Sequence, residues 1–129
     1  MVLIAFAGGI AIITATAGLT LWSWDRLPER VPIHFGINGV ADSFAPRAAI
    51  WLVVVLQVVI AAAFAVIYIA QKDRGLLLFG ASPLAVCAWA QVAVISAATS
   101  GTNRIRALRF WGGFAAIFVA GIIAAQLAR

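Results

Sequence analysis

Few side chains in this sequence are equipped for chemistry. It holds one histidine, His34, one cysteine, Cys87, and four carboxylates, Asp25, Glu29, Asp42 and Asp73. A catalytic zinc takes three protein ligands, and no acids cluster with His34 or Cys87, so no metal site built from protein ligands is expected. A Ser-His-Asp relay would have to draw on His34, and no serine stands in a nucleophile elbow. No glycine-rich loop of the phosphate-cradling kind is present. These absences point to a protein that is not an enzyme and needs no cofactor. The pairing that remains is His34 with Asp42, eight residues on, which would orient the imidazole ring if the fold brought them together. Such a pair either serves recognition or only holds its own segment in shape.

Both residues lie in Leu27-Pro-Glu-Arg-Val-Pro-Ile-His-Phe-Gly-Ile-Asn-Gly-Val-Ala-Asp-Ser-Phe-Ala-Pro-Arg47, which holds three of the four prolines. Pro28 and Pro32 fix their own φ and push the residues before them toward extended geometry. Val31 to Phe35 reads as a strand, Asn38-Gly39 as a hairpin turn and Val40 to Phe44 as the return strand. Pro46 suits the first turn of a following helix. Ile33, Phe35, Ile37 and Phe44 are available for burial. A two-residue turn at 38–39 sets His34 opposite Ser43. A three-residue loop with Gly39 left-handed sets it opposite Asp42.

The surroundings of this segment are apolar. Of the 129 residues, 65% are hydrophobic and 10% charged, too little polar surface to cover a soluble domain of this size. Four runs are long enough to cross a bilayer as helices: Val2 to Trp22, Ala48 to Ala70, Leu76 to Ala98 and Leu108 to Leu127. Ala15-Thr16-Ala17 resembles a signal-peptide cleavage site, but no Lys or Arg precedes the run, so it reads as a first span. In the third run, Pro83 either kinks the helix or follows a new start capped by Ser82. The expected fold is an all-α membrane protein, a four-transmembrane-helix bundle with a β-hairpin in loop 27–47 between helices 1 and 2. The chain forms one integral membrane domain over residues 1–129.

With four spans, the hairpin and the loop at 99–107 share one face. That face carries Arg26, Arg30, Arg47, Arg104, Arg106 and Arg109, against Lys72, Arg74 and Arg129 on the other, which puts the hairpin in the cytoplasm. Trp22, Trp24, Trp51 and Trp111 gather at the same face as interfacial anchors. The net charge of +5 reads as topology signals and attraction to anionic lipid; no nucleic-acid-binding motif is present. All four acids lie between the spans, which argues against proton-coupled transport of the small four-span type. Gln57 and Gln91 lie mid-span and need partners: either each other, other helices, or a ligand. Small residues recur every fourth position in the first span (Ala7, Ala11, Ala15) and the fourth (Gly112, Ala116, Ala120, Ala124, Ala128), and in the third the row Ala81, Ala85, Ala93, Ala97 is interrupted by Trp89. These are seams for packing within the chain or in a homo-oligomer. Cys87 reads as a small core hydrophobe.

Leu27-Pro28, Val31-Pro32, His34-Phe35, Gly39 and Asp42, closed by the basic Arg47, resemble the pattern of domain of unknown function 1648 over roughly residues 5 to 60. That domain stands at the N-terminus of SdpI-type proteins, named for immunity to a sporulation-delaying toxin. The family usually has Lys where Arg47 stands and often Asn where Gly36 stands. The resemblance implies a multipass protein of the bacterial cytoplasmic membrane. Its signature positions are Pro28, Pro32, His34, Gly39, Asp42 and Arg47, none with a catalytic role. The best-known relative confers immunity against a toxin peptide and captures a transcriptional repressor; such proteins have more spans than this chain. The resulting expectation is a small immunity, signalling or binding protein acting through its hairpin face on a peptide, repressor or membrane-protein partner. The alternatives are an accessory subunit of a larger membrane complex, or a lipid- or quinone-binding protein with its ligand near Trp89 and Gln91.

Overall fold

The computed structural model describes residues 2–128. Four helical spans are present, each long and apolar enough to cross a membrane. The first is α1 (Val2–Ser23). A 3-10 turn (Arg47–Trp51) leads into α2 (Leu52–Gln71). The third span is broken into α3 (Arg74–Phe79) and α4 (Ala81–Thr99), and α5 (Ala107–Leu127) is the fourth. An antiparallel hairpin of β1 (Arg30–Phe35) and β2 (Ala41–Pro46) joins α1 to α2. Arg129, counted above on the opposite face, lies outside the described residues.

The polarity of the fold is inverted relative to a water-soluble domain. Thr16, Thr20, Ser23, Gln57, Ser82 and Gln91 are buried, while Leu3, Ile10, Leu52, Val59, Ile69 and Val119 are exposed. Hydrocarbon outside accepts apolar side chains without cost and offers nothing to hydrogen-bond, so polar atoms are driven inward. The central helix is α4, packed against α1, α2 and α5.

The small-residue stripe of the third span is buried or half-buried, but those of α1 and α5 do not pack within the chain. Ala7, Ala11 and Ala15 of α1 and Gly112, Ala116, Ala120 and Ala124 of α5 are exposed. The reason lies in the polar side chains. Turning Gly9, Thr16, Thr20 and Ser23 inward rotates the alanine stripe of α1 out toward lipid. In α5 the close approaches fall to Gly113 and Gly121. A Cβ at Gly113 would stand 2.6 Å from the Trp89 ring, and one at Gly121 would overlap Ser82.

The third span is kinked, with the break at Gly80. The Gly80 N–H still donates to the Leu76 carbonyl at 3.1 Å. Pro83 has no N–H to offer residue 79. Ser82 does not cap a new start; its side chain is buried against α5. The span starts at Arg74, because the Asp73 carboxylate accepts from the Leu76 N–H at 3.0 Å and caps α3.

At one end, a cap core forms from Leu27, Val31, Ile50, Ile95 and Ala98, flanked by Leu19, Trp24, Trp51 and Val94. The hairpin enters it through Val31 and Pro32, both fully buried. The residues expected there stay out: Ile33 and Phe44 are exposed, Phe35 is half-buried and Ile37 is 90% exposed. The first half of β1 is buried in the cap core, and the second half faces α4 and α5 across a groove. The α-helical part of the second span starts at Leu52, four residues later than expected. The Arg47 N–H donates to the Glu29 carbonyl at 2.8 Å, and Ile50 is drawn into the cap core; together these hold the entry in a tight 3-10 turn.

Candidate functional site

The hairpin tip is a three-residue loop, Ile37-Asn38-Gly39. The Gly36 N–H donates to the Val40 carbonyl at 2.9 Å, and the Gly39 N–H donates back to the Gly36 carbonyl at 2.8 Å. Gly39 is left-handed at φ 77, and the Asn38 side-chain oxygen accepts from the Val40 N–H at 3.1 Å. Glycine is required at position 39 twice over. A side chain is strained at that φ, and a Cβ there would collide with the Ile105 carbonyl.

That collision exists because the tip is docked. The Ile105 N–H donates to the Gly39 carbonyl at 2.9 Å, the Ala41 N–H donates to the Asn103 carbonyl at 3.0 Å, and Val40 bridges Arg104. An isolated two-stranded hairpin is marginal in water. Here the connection between α4 and α5 supplies a third partner.

The ladder pairs Arg30 with Pro46, Val31 with Ala45, Pro32 with Phe44 and Phe35 with Ala41, with an irregularity that sets the His34 backbone opposite Ser43. The side chains nonetheless bring His34 to Asp42. The His34 Nδ1 lies 2.6 Å from the Asp42 Oδ1, with the side chains 69% and 53% exposed. Hydrogen-bonded this way, the ring is oriented by Nδ1 and leaves Nε2 as its free nitrogen. His34 also lines a groove of about 280 Å³ between β1, α4 and α5, with Phe35, Val94, Ile105, Phe110 and Trp111 among its walls. The arrangement presents one oriented polar group beside an apolar slot.

Of the other signature positions, Pro32 and Arg47 pack behind this face and Pro28 does not. Pro28 is exposed and Pro32 is buried in the cap. The Arg47 guanidinium lies over the Trp24 ring at 4.8 Å, and Trp24 packs on Trp51 with centroids 6.4 Å apart. Trp22 and Trp111 are exposed at the same face, with Arg26 stacked over Trp22 at 3.9 Å. Arg30 donates to the Phe44 carbonyl at 3.0 Å. Arg26 and Arg30 thus take an aromatic face and a carbonyl as partners.

Gln57 and Gln91 do not bond one another. The Gln57 Nε2 donates to the Thr16 hydroxyl at 3.1 Å and the Leu84 carbonyl at 2.9 Å. The Gln91 Nε2 donates to the Thr20 hydroxyl at 2.9 Å and the Ile50 carbonyl at 3.1 Å. The pattern is reciprocal. Leu84 lies one heptad before Gln91 on the third span, and Ile50 one heptad before Gln57 on the second. Because the two spans run antiparallel, each glutamine reaches the backbone beside the other's helix. The two hydroxyls pass the bonds on, Thr16 to the Ile12 carbonyl and Thr20 to the Thr16 carbonyl, both at 2.8 Å. Carbonyl acceptors fix the amide orientation and leave each Oε1 buried without a partner among the described residues. The Gln91 Nε2 is thereby engaged by two helices at once.

Sequence reasoning missed Thr16, Thr20, Asn103 and Ile105. The threonines had a signal, two hydroxyls one helical turn apart inside an apolar run. Backbone donors such as Ile105 leave no trace in residue type.

Residues 11–58 match the family profile described as Domain of unknown function (DUF1648). The match takes in most of α1, the whole hairpin and the first part of α2, including every signature position named above. No curated protein and no solved structure matches the chain.

Proposed function

We propose that this chain, carrying the DUF1648 segment, is a non-catalytic binding protein of the membrane that captures a partner at its hairpin face, in an immunity or signalling role of the SdpI type. The observation that carries this reading is the exposed His34–Asp42 contact at 2.6 Å beside an apolar groove. Exposed side-chain pairs contribute little to stability, so an ordered one beside a docked tip is better suited to recognition than to holding the fold. The fitting partner is a peptide or protein segment that inserts an apolar side chain into the groove and hydrogen-bonds the free Nε2. The membrane is the bacterial cytoplasmic one, with the hairpin on the cytoplasmic side, supported by six Arg at this face.

The test is His34→Ala and Asp42→Ala in cells, scored for protection or signalling and for membrane level. Loss of function at normal membrane level is expected; two fully functional variants would refute the reading. Cysteine-accessibility mapping of the hairpin, with Cys87 replaced, checks the side. A second reading, as an accessory subunit or homo-oligomer, is favoured by the outward stripes of α1 and α5; a companion or second copy retained on native purification would support it.

A further inference from the structure

The connection between α4 and α5 encloses a second site, separate from the hairpin groove's polar pair. A cavity of about 540 Å³ opens there, lined by Arg104, Arg106 and Arg109 together with Ser96, Ser100 and Trp89, and no acidic side chain lines it. These guanidinium groups differ from those of the first loop. Arg26 and Arg47 stack on tryptophans and Arg30 holds a carbonyl. Among the described residues, Arg104, Arg106 and Arg109 have no side-chain hydrogen bond, ion pair or aromatic face. Three unpartnered cations converging on one cavity repel one another, and an anion there relieves that repulsion. Guanidinium forks suit phosphate oxygens, which they grip in pairs.

The cavity does not end in protein. Trp89 and Val92 are shared with an apolar groove of about 350 Å³ between α1, α4 and α5, whose walls include Ile12, Leu19, Ala88 and Ile117. Trp89 is fixed where the two meet: its Nε1 donates to the Phe110 carbonyl at 3.2 Å, and its ring lies against Gly113, where a Cβ has no room. The α5 helix begins at Ala107, so Arg106 and Arg109 stand at its membrane end. Ile117 lies two turns further along, roughly 12 Å deeper. A charged mouth leading into a lipid-depth apolar slot matches an amphiphile lying along a helix. Arginines that served only as topology signals would need neither cavity nor slot.

The geometry points to a binding site for a phosphate-headed anionic lipid: Arg104, Arg106 and Arg109 hold the headgroup, and the groove between α1, α4 and α5 takes one hydrocarbon chain. The experiment is native mass spectrometry of the detergent-purified full chain titrated with phosphatidylglycerol, with phosphatidylcholine of the same chains, and with glycerol phosphate. Phosphatidylglycerol is expected to bind at least about tenfold more tightly than phosphatidylcholine, and the Arg106→Gln/Arg109→Gln variant to lose that preference. Ala88→Phe, which fills the slot, is expected to weaken phosphatidylglycerol with the arginines intact. Arg26→Gln/Arg30→Gln, on the same face, is expected to change nothing. Equal binding of the two lipids overturns the site, as does an equal loss on changing Arg26 and Arg30, which would mean general surface attraction. Glycerol phosphate displacing the lipid at matched concentration assigns the cavity to a free anion and overturns the lipid. If the double variant does not fold, Arg104→Gln and Ala88→Phe decide: lipid preference unchanged in both refutes the assignment.

Discussion

Gln57 and Gln91 sit fully buried in the middle of the bundle, each amide fastened to a threonine hydroxyl and a backbone carbonyl on two different helices. His34 and Asp42 stand at the hairpin, touch each other, and remain more than half exposed. Both regions present short polar contacts, yet their surroundings give them opposite weight. In the bundle no water can replace a lost partner, so each amide bond fixes how three helices meet. At the hairpin water competes for both groups, so the contact adds little to folding and is free to be spent on a ligand. A hydrogen-bond distance alone says nothing about which role a residue has.

That contrast breaks most readily in the bundle. Gln57→Leu with Gln91→Leu should destabilise the protein by about 2–3 kcal/mol, roughly the sum of two interhelical clamps, read as a shift in unfolding midpoint in mixed detergent. Comparable stability in the double variant would show that packing alone sets the helix geometry. Gly39→Ala tests the tip, where left-handed strain and the Ile105 carbonyl both oppose a methyl. A cost of about 1–2 kcal/mol is expected, with faster amide exchange at Gly39 and Ile105 and little change in the spans. His34→Ala or Asp42→Ala should change stability by at most about 0.5 kcal/mol. The coupling between the two, from a double-mutant cycle, should shrink further in high salt. A coupling as large as that of the glutamine clamps would erase the distinction drawn here.

The spans were legible because 20 apolar residues in a row have few other uses, and all four lie within a few residues of where hydropathy puts them. Asn38-Gly39 announced the hairpin but left two loop lengths open; the three-residue loop formed, while an irregularity in the ladder kept the His34 backbone opposite Ser43 and left the meeting with Asp42 to the side chains. Helix rotation was not legible. Alanine is so common in this chain that stripes on α1 and α5 looked like packing seams, although both face outward. The deciding residues were fewer: Gly113, Gly121, Thr16 and Thr20, whose importance depends on a Trp89 ring, a Ser82 hydroxyl and two glutamines far away in sequence. The Arg104 cluster was visible as charge, and its cavity was not. Ser96 near the end of α4 and Ser100 just past it were the hint that the charge had a polar wall to face.

The docking of Gly39 onto Ile105 also has a consequence in time. During synthesis the turn at 37–39 emerges long before its partner, and the carbonyl of Gly39 waits for a backbone donor 66 residues downstream. Gln57 likewise waits for Leu84, and Ile50 for Gln91. The segment 11–58 that matches DUF1648 therefore lacks the partners of these contacts until later residues have been made. Completion comes only when the third span has been inserted and the chain doubles back toward the fourth. A ribosome halted after residue 58 would leave two helices and a loose hairpin, so the matched unit of sequence is smaller than the unit that folds.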